Sequence, residues 1–198
     1  MLSNWKLEMM NNVRNKKMGK TNMIIWIDGT YGVGKTTVAS KIKEMLSKNN
    51  VYLLESDSSY QEMKDSNAYL ALGGAFPQNN LNFINKFKNE IDELLTDSKR
   101  IIIVDMSLTQ KECKEGLFDH LTADNILHFI LTASKEFIKL RILNDNKREE
   151  KVFALEHLDE NLLFLENNFK DAIWIDVENK NSEDIAKIII KYINMQNK

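Results

Sequence analysis

From Met23 onward, short runs of consecutive apolar residues alternate with longer stretches in which apolar residues recur every three or four positions. The runs MIIWID (Met23 to Asp28), VYLLE (Val51 to Glu55), IIIVD (Ile101 to Asp105), ILHFILT (Ile126 to Thr132) and AIWIDV (Ala172 to Val177) are bounded by polar and turn residues. Apolar on successive residues and rich in β-branched side chains, they predict strands covered on both faces. The periodic stretches predict helices over 35–48, 58–72, 79–97, 110–121, 134–144, 152–168 and 182–195. Ser182 is the expected N-cap of the last, with Glu183 and Asp184 in its first turn. Strands alternating with helices predict an α/β protein with a parallel sheet and helical crossovers. Gly73, Gly74 and Pro77, the only proline, mark a loop between the second and third helices. Residues 1–22 are polar and basic with scattered Trp5, Leu7, Met10 and Val13, and are expected to form an arm ahead of a single domain over 23–198.

Composition adds limits rather than chemistry. The 198 residues, 43% hydrophobic and 28% charged, suit one core, and a net charge of -2 creates no field that asks for nucleic acid as partner. No apolar run reaches the ~18 residues of a membrane span and no apolar leader opens the sequence, so a cytoplasmic protein without a transmembrane segment is expected. Cys113 is alone and reads as a plain free thiol. His120, His128 and His157 show no metal-ligand spacing and read as ordinary strand and helix residues, while Trp26 and Trp174 read as core.

The chemistry begins where the first strand ends. Gly29-Thr30-Tyr31-Gly32-Val33-Gly34-Lys35-Thr36 fits G-x-x-x-x-G-K-[ST] between a predicted strand and a predicted helix, the context the motif needs. The glycines let backbone N–H groups of Gly29, Thr30, Gly32, Val33 and Gly34 turn inward around phosphates, and the helix N-terminus adds partial positive charge. Lys35 is expected to reach the β- and γ-phosphates, Thr36 to ligate Mg²⁺, and Thr37 to touch the α-phosphate. Asp105 ends IIIVD as a Walker-B acid would, a second metal-side group.

Phosphoryl transfer to a small molecule also needs an acid beside the acceptor hydroxyl. LLESDSSY offers Glu55 and Asp57 at the carboxyl edge of the second strand, on the same side if the segment is extended. Glu55 is assigned to the metal side and Asp57 to the base. Charge neutralisation is assigned to Arg141 on the helix after the fourth strand, and to Arg148, beside Lys147 and Lys151 in a lid-like segment. Phe76, Phe83 and Phe87 flank the Gly-Gly loop as candidate pocket walls or core residues.

MIIWIDGTYGVGKTT, IIIVDMSLT and ILHFILTASKEFIKLRIL, in that order, resemble the bacterial tunicamycin-resistance ATP-binding proteins and related small-molecule kinases of the P-loop NTPase superfamily, over residues 23–193. The resemblance implies a kinase-like domain with strand order 2-3-1-4-5 and a lid, in which Lys35 and Thr36 bind Mg²⁺ and ATP or another NTP. It implies a small-molecule acceptor or drug as partner, with a nucleoside-type antibiotic and a resistance role as one instance, and phosphorylation or nucleotide-dependent drug binding without turnover as the two activities. A nucleoside kinase is a further alternative, against which the third strand ends VDMS without an Asp-Arg pair. This chain departs from such relatives at Leu143 and Asp145, where they carry arginines, and at Glu156 and Asp159, where they carry a Gln-x-x-Arg helix. Monomer and homodimer both stay open.

Overall fold

The computed structural model describes residues 22–46, 50–66, 76–97, 99–123, 125–146 and 151–196. The expected arm up to residue 21, the Gly73-Gly74 loop, the distal end of the second predicted helix and Arg148 lie outside the described residues.

Five strands, β1 (Met23–Asp28), β2 (Val51–Glu55), β3 (Ile101–Asp105), β4 (Asn125–Thr132) and β5 (Ile173–Asp176), form one sheet in the order β2-β3-β1-β4-β5. Every pairing is parallel, which is the order the resemblance implies. Among the described residues the helices are α1 (Lys35–Leu46), α2 (Ser56–Asp65), α3 (Leu81–Leu95), α4 (Lys111–Gly116), α5 (Lys135–Asn144), α6 (Lys151–Glu156), α7 (Leu158–Asn168) and α8 (Ser182–Gln196), with 3₁₀ turns at Pro77–Asn79 and Phe118–His120.

Period-two alternation assigns each strand residue to one of two layers. Ile25, Ile27, Ile103 and Phe129 pack against Val38 and Ile42 of α1 and Ile185, Ile189 and Ile193 of α8. On the other face Ile24, Trp26, Ile102 and Val104 meet Phe83, Phe87 and Ile91 of α3, Cys113 of α4 and Leu165 of α7. Burying each large apolar side chain is worth ~1.5–3 kcal/mol, so β1, buried along its whole length, is the best anchored strand. The loop after Asp28 therefore starts from a well-anchored strand end. Since β2 and β4 lie on opposite sides of β1, that loop opens at the crevice where the strand order reverses.

A third, smaller cluster joins Ile138 and Ile142 of α5, Ala154 of α6 and Leu158 of α7, with Tyr31 packed against it. The periodicity over 152–168 predicts one helix, but the chain breaks at His157, whose φ of -92° and ψ of 2° are not helical. Across the break Ala154 and Leu158 both stay in this small cluster, and further along α7 Leu165 reaches the sheet. Likewise the helix expected over 110–121 stops at Gly116, and Leu117 (φ -120°, ψ -68°) turns the chain into a 3₁₀ segment. Asn181, rather than the expected Ser182, caps α8 by accepting the Asp184 N–H at 2.9 Å.

Candidate functional site

The phosphate loop is held from below by a residue that precedes its motif. Asp28, fully buried at the end of β1, accepts the Gly29 N–H at 2.6 Å and the Leu108 N–H at 3.0 Å with one oxygen. Its other oxygen lies 2.9 Å from His128 Nε2 on β4. One carboxylate thereby ties together the loops after β1 and β3 and the neighbouring strand. Buried carboxylates persist only when bonded in this way. His128, expected to be an ordinary strand residue, is the partner, clamped between Phe118 and Phe169 with ring centroids 4.8 Å from each. The signal available in the sequence was an acid closing an otherwise apolar run directly before Gly29.

Above this support the loop curls back on itself. Lys35 Nζ donates to the Thr30 carbonyl at 3.1 Å, and Ser107 Oγ donates to the Gly29 carbonyl at 2.8 Å. Gly29 has φ 136°, and a Cβ there would lie 2.5 Å from the Leu131 carbonyl oxygen, so only glycine is tolerated. Gly34 has φ 105° and lies under the Arg141 guanidinium, whose Nη2 a Cβ would approach to 3.1 Å. Arg141 Nη1 also donates to the Val33 carbonyl at 3.3 Å. The expected arginine of the helix after the fourth strand thus rests on the loop itself. Thr30 and Val33 are buried, whereas Thr36 and Thr37 are exposed in the first turn of α1. Lys151 instead bonds the Leu143 carbonyl at 2.7 Å and does not join the site.

Beside the loop is a cleft of about 140 Å³ whose lining includes Lys35, Thr36, Asp57, Gln78, Asp105 and Ser107. Tyr31, Tyr60, Phe76 and Phe83 give it an aromatic wall. Asp105 is buried, and that burial raises its pKa above the ordinary 3.8. The Lys35 charge and the Thr36 hydroxyl pull in the opposite direction, while Asp57 and Asp28 push the same way as burial. The residue the sequence assigned to the metal side therefore shares its surroundings with the loop's lysine and hydroxyl.

Glu55 ends β2 in extended conformation as expected, but Asp57 does not continue that edge. Helix α2 starts at Ser56, immediately after β2, with Glu55 (φ -107°, ψ 119°) in the N-cap position and Asp57 in the first turn. An acid in a first turn is stabilised by the helix N-terminus, so the same residues suit a helix start as well as a strand end. The consequence is to separate the two acids. Asp57 lines the cleft, whereas Glu55 stands opposite Asp105 in the β2–β3 register and is not among the lining residues.

Gln78 is a cleft residue that the sequence reading missed. Only 8% exposed, it accepts the Thr109 N–H at 2.9 Å through its side-chain oxygen, which leaves its NH₂ group for the cleft. Nothing local in Pro77-Gln78-Asn79 signals this, because the partner is thirty-one positions away. Of the three phenylalanines considered, Phe76 and Phe83 line the cleft and Phe87 is core.

A hydroxyl and a single carboxylate beside a lysine are the protein donors that Mg²⁺ takes when phosphates and waters complete its shell. The inward-curled loop at a helix N-terminus is the complement of polyphosphate. Residues 29–37 and Asp105 therefore fit a Mg²⁺–nucleotide. No helix among the described residues is long and apolar enough to cross a membrane.

A family model described as an AAA domain matches residues 25–185. A Staphylococcus aureus (strain MRSA252) protein described as uncharacterized chromosomal cassette SCCmec type IVc protein CR006 is 27% identical over 195 residues, 94% of this chain and 24% of that protein. The chain thus spans about a quarter of the length of the first curated relatives it matches. Among solved structures it is similar to the Deinococcus radiodurans tunicamycin resistance protein, at 22% identity and TM-score 0.63, covering 87% of this chain and 95% of that one. It is also similar to a gluconokinase from Sinorhizobium meliloti 1021, at 15% identity and TM-score 0.62, covering 90% and 95%. At these identities the likeness shows the fold, which is that of P-loop kinases.

Proposed function

We propose, from the premise that the chain belongs to the AAA-domain family matched over residues 25–185, that it is an ATP-dependent phosphotransferase acting on a hydroxyl of a small molecule. One observation carries this reading: the lysine and threonine of the phosphate loop line the same cleft as Asp105 and Asp57, under an aromatic wall. The backbone of Gly29 to Gly34 with Lys35, Thr36 and Thr37 would hold the triphosphate, and Thr36 with Asp105 would hold Mg²⁺. That ion, when bound, neutralises charge on the transferring phosphoryl group.

The remaining roles belong to the chain's own side chains. Asp57 orients the acceptor hydroxyl and takes its proton as the new O–P bond forms and the bond to the nucleoside diphosphate breaks. Lys35 and Arg141 supply positive charge around the transferred group, and Arg148 of the lid-like segment is assigned the same task. Gln78 offers its NH₂ to a polar group of the acceptor. The tunicamycin-resistance description of the Deinococcus protein supports a nucleoside-type antibiotic as acceptor.

A second reading, nucleotide-dependent drug binding without turnover, is favoured by the diversion of Lys151 to the Leu143 carbonyl, which removes one lid cation from the loop. One experiment separates the two. Protein, Mg²⁺-ATP and a panel of nucleosides, nucleoside antibiotics and sugars are expected to yield ADP and a phosphorylated product. Asp57→Asn should cut turnover by about 10²–10⁴-fold with ATP affinity unchanged. Wild-type turnover in that variant would remove Asp57 from its role, and tight drug binding without any product would select the second reading.

A further inference from the structure

Beyond the aromatic wall of the cleft lies a second cavity, of about 200 Å³, that shares Tyr31 and Phe76 with it. Phe153 and His157 form one side, their ring centroids 4.1 Å apart and their planes tilted by 32°. Phe153 is held in turn by Phe76 at 5.7 Å and Tyr31 at 6.0 Å. The His157 Nδ1 lies 2.9 Å from the Phe153 carbonyl. A carbonyl only accepts, so Nδ1 carries the hydrogen and Nε2 of the neutral ring is an acceptor.

Asn161 also lines this cavity and is only 2% exposed. Its backbone N–H donates to the His157 carbonyl, but its side-chain amide has no hydrogen-bond partner among the described residues. Buried amides are almost always bonded, because the desolvated donor and acceptor are otherwise left without compensation. An unbonded amide in a cavity wall, next to a pair of aromatic rings, marks a place for a group that the described residues do not supply. Glu160 lines the same cavity and makes it unfavourable for an anion.

We propose that this cavity is a ring subsite of the acceptor site, taking a planar heterocycle with a lactam or amidine edge. The ring packs on Phe153 and His157, and its edge pairs with the Asn161 amide, which presents one acceptor beside one donor as such an edge requires. The proposal rests on the adjacent cleft being the acceptor site. The acceptor is then a molecule of nucleoside type, with its reacting hydroxyl toward Asp57 and its ring behind the Tyr31–Phe76 wall. The base of the nucleotide donor has the same edge chemistry, and the experiment distinguishes the two sources.

Uridine, inosine and a phenyl riboside are titrated against the whole chain by calorimetry, without nucleotide and with saturating Mg²⁺-ATP. Either lactam nucleoside is expected to bind at least ~10-fold tighter than the phenyl riboside, and Asn161→Leu should bring that ratio to about 1. Phe153→Ala should weaken all three by ~10-fold and leave the ratio unchanged. Thermal midpoints report folding of both variants, and Asn161→Leu is expected to melt no lower than wild type because it buries no unbonded amide. Equal binding of uridine, inosine and the phenyl riboside, no binding of any of them, or a preference that survives Asn161→Leu would overturn the subsite and leave a cavity that holds only water. Displacement of the nucleosides by Mg²⁺-ATP would assign the ring to the donor and also overturn it. Ring binding with no phosphorylated product would instead leave the subsite standing and reject the transfer reading.

Discussion

The two sides of the cleft are built by opposite means. On the proposed donor side, contiguous residues 28–36 form the site largely through backbone: positive φ at three glycines, Lys35 folded onto the Thr30 carbonyl, and Asp28 underneath. On the proposed acceptor side, Asp57, Gln78 and Ser107 line the cleft and Asn161 the adjoining cavity, each a side chain from a separate segment. Backbone geometry leaves little to vary, so a donor site of this kind serves any acceptor. Side chains on four segments can be exchanged one at a time, so the acceptor side is where one member of such a fold differs from another.

The largest expected effect tests whether the donor side is a phosphate site at all. Lys35→Ala should lower turnover by about 10²–10³-fold, read as ADP release at saturating acceptor, while circular dichroism and nucleoside binding stay as in wild type. Unchanged ATP affinity and turnover would erase the distinction between the two sides. A smaller effect is expected from Asp28→Ala, which strands the buried Gly29 and Leu108 N–H groups and the His128 ring. A loss of about 3 kcal/mol should appear as a lower urea midpoint at constant m-value. If the midpoint holds, the loop is not supported from beneath and its rigidity has another source.

The smallest effect probes the sheet layer that carries Phe83, a wall of the proposed acceptor side, where Cys113 is buried among Ile84, Leu117 and other apolar side chains. Burial raises its thiol pKa from 9.0 to about 12. The native state then holds the proton more tightly than the unfolded chain does. The resulting stability is complete below pH 9 and is lost as pH rises toward 12. At pH 10 the loss should be about 1 kcal/mol, and Cys113→Ala should remove this slope while starting from a slightly lower stability at pH 8. A wild-type slope no steeper than that of the variant would mean that this layer admits water to the thiol, and that the acceptor side is looser than its packing implies.

Most strands were legible to within a residue or two, because a sheet buried on both faces imposes unbroken apolar runs that few other structures share. The phosphate loop was legible for a related reason: its function depends on backbone conformation, which neighbouring residues determine. Helix ends were less so. Ser56, Gly116 and His157 are places where local pattern allows continuation or interruption equally, and packing against a second cluster decides. The extended reading held for Glu55 and failed at Asp57, though it still selected Asp57 as a residue that lines the cleft.

The sequence by itself therefore determined the sheet, the donor loop and the acids Asp57 and Asp105 as candidates, since each is written in adjacent residues. Only the tertiary structure decided which acid enters the cleft, that Asp28 and His128 support the loop, that Arg141 lies on Gly34, and that Gln78 and Asn161 face cavities. The physical reason is range. Backbone conformation and strand burial follow from local sterics and periodicity, whereas partnerships such as Asp28 with His128 and Gln78 with Thr109 arise only when packing brings distant segments within hydrogen-bonding distance.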